Sequence, residues 1–337
     1  MIKIKVCDNT LYEQPEFVLS VIYDMQTFGS VEISTPEAPS FDSNGLYNLL
    51  DSVCSKFNFD PKKITITTAN PYEKHDQYQI VHRLTPHDPV WVQPTIKQYF
   101  LNGFSAGKFD NQKKLNKNLF GSFNNRPTWY RLCLVNHLRK YTEKTIISCN
   151  TSWDEVSHNR IPFDTLATHV PPNEYFEIMD LLKQCPIELP GGMVTNEQKQ
   201  TFQGFEKTLT SLMHLYNDFF IDIIGVTFTV GDTFYIDEKE SRPILCLTPF
   251  IIYGTNGHLE SMRGYGFKTF DTWWDESYDR YSGYRRLQEI YKLIDGLSVM
   301  TTAESQSMYQ DMLPTLRYNY NHLITKYAYS NQSREII

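Results

Sequence analysis

Ile64-Thr65-Ile66-Thr67-Thr68 is β-branched throughout and runs into the turn residues Asn70-Pro71, the pattern of a buried strand. Before it, residues 44–57 carry Leu46, Leu49, Leu50, Val53 and Phe57 at helical spacing behind a capping Ser43. Residues 2–7 alternate apolar and polar side chains like a strand, and residues 78–82 read as another. Strands and helices alternating at this pitch predict an α/β layer. A Gly-, Asn- and Lys-rich stretch over residues 102–118 interrupts the pattern, and a second series then starts. It has a strand at 119–123, a helix to about 139 with Leu132, Val135 and Leu138 on one face, and a strand at 146–149. Helices at 174–183 and 198–216, a strand at 221–228 and a helix from 238 to 246 follow. The series closes with a strand at 249–253, a helix from 258 that stops at Gly266, and helix beyond Tyr284. Two such series predict two Rossmann-like domains facing across a cleft, with ligands beyond the carboxyl ends of the strands.

A chain of 337 residues suits two domains of ordinary size. Its net charge of −7 opposes extended contact with a nucleic-acid backbone, though not local contact with a modified base. The six cysteines have neither C-x-x-C nor zinc-site spacing and read as reduced thiols of a cytoplasm-like compartment. The N-terminus has no apolar leader, and the longest apolar run, residues 219–228, is broken by Asp222, so no membrane span is expected. Asp-x-Asp is absent, so no metal is expected to hold a diphosphate; fixed cations would do so instead.

The densest cluster of chemistry is Tyr235-Ile236-Asp237-Glu238-Lys239-Glu240-Ser241-Arg242, at a predicted strand-to-helix junction. Lys239 and Arg242 suit phosphates, helped by the N–H groups of a helix start, and Glu238 suits ribose hydroxyls. A solvated first helical turn with ordinary charge pairs would have the same composition. Downstream lie the apolar 249–253 strand, Gly264-Tyr265-Gly266-Phe267-Lys268-Thr269-Phe270 and Trp273-Trp274-Asp275-Glu276-Ser277-Tyr278-Asp279. The two tryptophans suit stacking on a sugar or base, or anchoring in the core. Asp275, Glu276 and Asp279 suit acceptor hydroxyls, or an exposed acidic turn.

The block from Asp232 to Asp279 resembles the C-terminal signature of the α-1,3-fucosyltransferase-like glycosyltransferases, in the manner of a diverged phage or bacterial branch. Residues 120–131 (FGSFNNRPTWYR) are similar to that family's strand, Asn and downstream Arg, here Asn124 with Arg131 or, second, Arg126. Residues 64–83 are similar to its N-terminal strand, turn and strand, but Ala69-Asn70 stand where the family has its catalytic carboxylate. Glu73 is the preferred replacement, ahead of Glu13 and Asp88. The resemblance implies a GT-B fold. Residues 1–115 would bind the acceptor and 116–300 the nucleotide-sugar donor, while helices in 301–337 would pack back on the first domain. It also implies metal-independent, inverting transfer from a nucleotide-diphosphate sugar, guanosine-linked fucose by analogy, to a glycan or other hydroxyl. Arg131, Lys239 and Arg242 would stabilise the departing diphosphate, with Tyr235 on the nucleotide and Glu238 on its ribose.

Two other classes fit parts of the sequence. Gly103-Phe104-Ser105-Ala106-Gly107 matches the nucleophile elbow of α/β-hydrolases, with Ser105 as nucleophile, although the polar 108–117 stretch is unsuited to the buried helix the elbow needs. The missing carboxylate at Ala69-Asn70 also suits a non-catalytic glycan- or nucleotide-binding protein. His82 and His87 are further acid/base candidates.

Overall fold

The computed structural model describes residues 3–5, 15–35, 46–68, 74–82, 92–110, 113, 118–124, 128–149, 163–189, 212–226, 229, 234 and 236–328. The chain forms two compact units. One comprises Met1–Asp88, Phe228–Tyr235 and Thr255–His258; the other comprises Pro89–Thr227, Ile236–Gly254 and Leu259–Ile337. The second unit therefore begins at Pro89, earlier than the expected boundary at 115/116. Each unit holds one four-stranded parallel sheet, as an α/β reading requires.

The first sheet runs β1 (Lys3–Lys5), β2 (Val31–Thr35), β3 (Ile64–Thr68), β4 (Gln79–His82) in spatial order, so the strand order never reverses. Helices α1 (Pro15–Phe28) and α2 (Leu46–Phe57) supply the apolar cover. Phe17, Val21 and Met25 of α1 and Leu46, Leu50 and Val53 of α2 share one core with Ile33, Ile64, Ile66 and Tyr78. The predicted strand at 64–68 and the helix through 57 are present; α1 and β2 are additions to the sequence reading.

The second sheet joins β5 (Asn118–Asn124), β6 (Thr145–Cys149), β7 (Phe219–Gly225) and β8 (Phe250–Tyr253) in the order β6-β5-β7-β8. Every residue of β7 and β8 is buried, as expected of parallel strands covered on both faces. Glycine at position 121 of β5 leaves room for the Phe219 ring of β7 to lie over it: a Cβ there would be 2.6 Å from that ring. The order reverses between β5 and β7, which makes their carboxyl ends a topological switch point, where such sheets open a crevice.

Helix α5 (Trp129–Leu138) follows β5 and is buried from Tyr130 to Leu138, not on one face as the Leu132/Val135/Leu138 spacing suggests. It packs on the sheet, on α7 (Pro172–Gln184) and on α10 (Gly283–Ser298). Its polar residues remain inside by pairing: Asn136 Nδ2 donates to Glu177 Oε2 at 3.0 Å, and His137 Nε2 meets Asp295 Oδ1 at 2.6 Å. The intervening α6 (Phe163–His169) also contacts α5.

Helices α3 (Val92–Leu101) and α4 (Ala106–Asp110) belong to the second unit. α3 packs on α8 (Glu238–Leu245), and α4 packs on α11 (Thr302–Leu323). Arg317 of α11 is paired with Asp110. The C-terminal helix thus meets residues upstream of 115, but these lie in the same unit as α11. Ser105 sits between two helices, α3 and α4. A nucleophile elbow needs a strand before the serine, so this G-x-S-x-G is a helix–turn–helix corner. Gly103 makes the turn with φ +69°, and Phe104 stacks on Tyr99 and Phe109.

The Trp273–Asp279 segment is an internal brace. Asp279 Oδ2 accepts from Leu259 N at 3.0 Å and Glu260 N at 3.2 Å, capping α9 (His258–Gly264), and its other oxygen pairs with Arg286 of α10. Arg286, wholly buried, also donates to Gly254 O at 2.8 Å. Glu276 accepts from Phe270 N at 2.7 Å and pairs with Arg263 at 3.1 Å. Glu276 and Asp279 are therefore buried connectors and not an exposed acidic turn. Trp274 is buried against Phe270, while Trp273 Nε1 donates to Asp311 of α11 at 2.6 Å. Gly266 ends α9 with φ +90°, and a Cβ there would press on the His322 ring at 2.8 Å.

Candidate functional site

The recess that draws on the expected site residues lies at the β5/β7 switch point of the second unit. The cavity itself is small, about 10 Å³ or room for one water, and is lined by Phe123 of β5, Asp222 to Gly225 of β7, Tyr216, and Lys239 and Arg242 of α8. Local folding explains each position. β5 and β7 end together, and α8 begins with a capping box. Asp237 accepts from Lys239 N at 2.6 Å, and the Glu240 side chain accepts from Asp237 N at 3.1 Å. That box fixes the first turn of α8, and with it the Lys239 and Arg242 side chains on the recess. It also occupies amide groups at the helix start, so anion affinity here would come from side chains and not from those N–H groups.

Lys239 Nζ pairs with Asp237 Oδ2 at 2.9 Å and Glu238 Oε1 at 2.6 Å. Burial works against its charge, but Asp237 and Glu238 outweigh it and hold the ammonium above its ordinary range. Glu238, expected on ribose, is engaged by Lys239. Arg242 is buried and donates from Nε to Glu238 O at 3.1 Å. Arg131, on α5, crosses the end of β7: its Nε donates to Gly225 O at 2.9 Å, and its charge is felt at Lys239. Its passage requires glycine at 225, where a Cβ would lie 2.8 Å from Arg131 Cγ. Next to it, Tyr130 donates its hydroxyl to Val226 O at 2.6 Å. Asn124, at the end of β5, is buried and donates to Ser122 Oγ at 2.9 Å; Ser122 in turn donates to Ile223 O at 2.9 Å.

The structure thus brings Arg131, Lys239 and Arg242 to one region, with Asn124 at the adjacent strand end. Glu73, Arg126 and Tyr235, like Glu13, Ala69-Asn70, His87 and Asp88, lie outside the described residues, as does the side chain of His82. Among the described residues, no group of three or more His, Cys, Asp or Glu is placed to hold a metal ion, and no helix is long and apolar enough to cross a membrane.

Four participants were not read as site residues. Asp222 is buried on β7, and its Oδ2 accepts from the Tyr216 hydroxyl at 2.6 Å. Burial pushes the Asp222 carboxyl up to about 7, against the pull of Tyr216, Arg242 and Lys113. Lys113 Nζ donates to Thr248 Oγ1 at 2.6 Å and lies 5.0 Å from the Tyr309 ring centroid; burial brings it down to about 7. Gly225 is the fourth. The signal for Asp222 was in the sequence, as the one acid in an apolar strand; Tyr216, Lys113 and Gly225 had none.

Family models, curated proteins and solved structures were all compared with the chain, and none matches.

Proposed function

We propose that the chain is a glycosyltransferase of the GT-B type that transfers a sugar from a nucleotide-diphosphate donor to an acceptor hydroxyl. The observation that carries the reading is the gathering of Arg131, Lys239 and Arg242 about a switch-point recess of a parallel sheet. A diphosphate leaving group gains negative charge as the glycosidic bond breaks, and preorganised cations in a partly enclosed recess favour that change. In the inverting reaction the acceptor oxygen bonds to the anomeric carbon, its proton passes to a carboxylate for which Glu73 is our candidate, and the nucleoside diphosphate departs. The first unit would receive the acceptor, and guanosine-linked fucose is the donor suggested by the sequence resemblance.

The test is calorimetry and thermal shift with guanosine and uridine diphosphates and their sugar conjugates. The expected result is saturable heat and a raised Tm, since a ligand of the native state stabilises it by mass action. Arg242→Gln is expected to weaken nucleoside diphosphate binding about ten- to a hundredfold, the value of a charge-assisted contact. Absence of binding by every diphosphate would end the reading. Binding with neither sugar transfer nor donor hydrolysis would identify a non-catalytic binding protein. Glu73→Gln is expected to lower turnover while leaving donor affinity unchanged, and an unaltered rate would remove Glu73 from the role.

A further inference from the structure

Asp222 is out of place in an anion site. It lines the same recess as Lys239 and Arg242, on the strand at the switch point, and is 3% exposed. An incoming diphosphate and an ionised Asp222 would repel each other across a recess partly withdrawn from water, where like charges are less screened than in bulk solvent. Among the described residues, few groups face Asp222. Tyr216 donates to it, Arg242 and Lys239 from α8 share the recess wall, and Lys113 and Cys246 are within electrostatic reach. Tyr216 and Cys246 are both pushed well above their ordinary ranges by burial, and Lys239 is held charged, so none of these three changes state near neutral pH. Asp222 and Lys113 remain, both near 7.

We propose that Asp222 is a proton-linked specificity residue: the recess accepts a diphosphate with uptake of one proton on the Asp222 carboxyl, which turns a repelling carboxylate into a neutral group. The inference rests on the diphosphate reading above. It adds that the site binds its anion in exchange for the charge of Asp222, so affinity depends on pH in a direction the ligand alone would not produce. A terminal phosphate gains charge through about pH 6 and is fully ionised by about pH 7.5, so its own titration strengthens binding as pH rises and then stops. Proton uptake by Asp222 weakens binding as pH rises, and continues to do so above that point.

The experiment is the dissociation constant of guanosine diphosphate, measured by calorimetry between about pH 7.5 and pH 9. The native chain is expected to lose affinity about tenfold per pH unit, the slope for one linked proton. Asp222→Asn is expected to flatten the profile, and Lys113→Met to keep the slope. Tyr216→Phe removes the donor that favours the ionised carboxyl, so the fall should start at higher pH. That variant and Lys113→Met serve if Asp222→Asn does not fold. Binding with a flat native profile, or a slope lost in Lys113→Met and kept in Asp222→Asn, would overturn the inference while leaving the diphosphate reading intact. No binding at any pH would remove both.

Discussion

Two single residues carry consequences beyond their neighbours. Gly225 has no room for a methyl group because Arg131 Cγ occupies its face, with Tyr130 Cε2 at 3.2 Å. Gly225→Ala must displace Arg131 near its backbone. It is expected to cost about 1–3 kcal/mol by urea denaturation, the range for overpacking, and to weaken diphosphate binding as well. A variant as stable as the native chain with unchanged affinity would show that Arg131 need not lie where it does. Cys185 is the second case. The Cys149 thiol is hydrogen-bonded to it and, as the larger effect, lowers its thiol below the ordinary range, while Cys149 is pushed up. Backbone bonds between Cys149 and Ile187, at 3.1 and 2.8 Å, hold the two segments together. Iodoacetamide at neutral pH should therefore label half-buried Cys185 ahead of buried Cys54, Cys133 and Cys246, as read by peptide mass spectrometry. Cys149→Ala should slow that labelling.

Among the elements, α8 depends most on its first turn. Asp237 caps the helix and at the same time orients Lys239, and burial raises its carboxyl to about 6. Asp237→Ala is expected to cost about 1 kcal/mol as a lost cap, measured by urea denaturation. Because it also frees Lys239 from one carboxylate, diphosphate affinity should change independently of stability. Asp237→Asn retains an acceptor for Lys239 N and should recover most of the stability. The same principle links α9 to α10 through Asp279, which caps one helix and neutralises Arg286 of the other.

At the scale of the molecule, the second unit is held by buried charge as well as by apolar packing. Arg286 ties β8, the Asp279 segment and α10 together with no exposure to solvent. Arg286→Met leaves Asp279 buried without its partner and is expected to cost about 3–5 kcal/mol, while the double change Arg286→Met/Asp279→Leu should cost less than the sum of the two singles. Global stability also records Asp222. The folded chain keeps its proton up to about pH 7, whereas an unfolded Asp releases it near the ordinary value of 3.8. Between those values the folded state binds more protons, so this carboxyl makes stability fall as pH rises. The urea midpoint of the native chain, compared with Asp222→Asn, should therefore decline from about pH 4 to pH 7 and then level off. A constant difference would place the Asp222 titration outside this window.

Local periodicity and turn chemistry were enough to locate β3, most of α2, β5, β6, β8 and α7, because each has its spacing or its β-branched run within a few residues. The dense charges at a helix start marked Lys239 and Arg242 as candidates, while Arg131 was named only through the resemblance of residues 120–131 to the glycosyltransferase family. What the amino-acid order alone determined is thus the α/β class and these elements, whereas α1, β2, α3, α4 and α6 were not among them. Only the tertiary structure decided that β7 pairs with β5 across some hundred residues, which brings Asp222, Tyr216 and Gly225 to the expected cations. It also decided that Glu276, Asp279 and Arg286 are buried connectors, and that G-x-S-x-G is a corner between helices. The physical reason is common to all of these. Strand partnership, burial of a charge and the shape of a recess depend on groups far apart in the chain, and no local pattern records which distant partner will neutralise a charge or crowd a glycine.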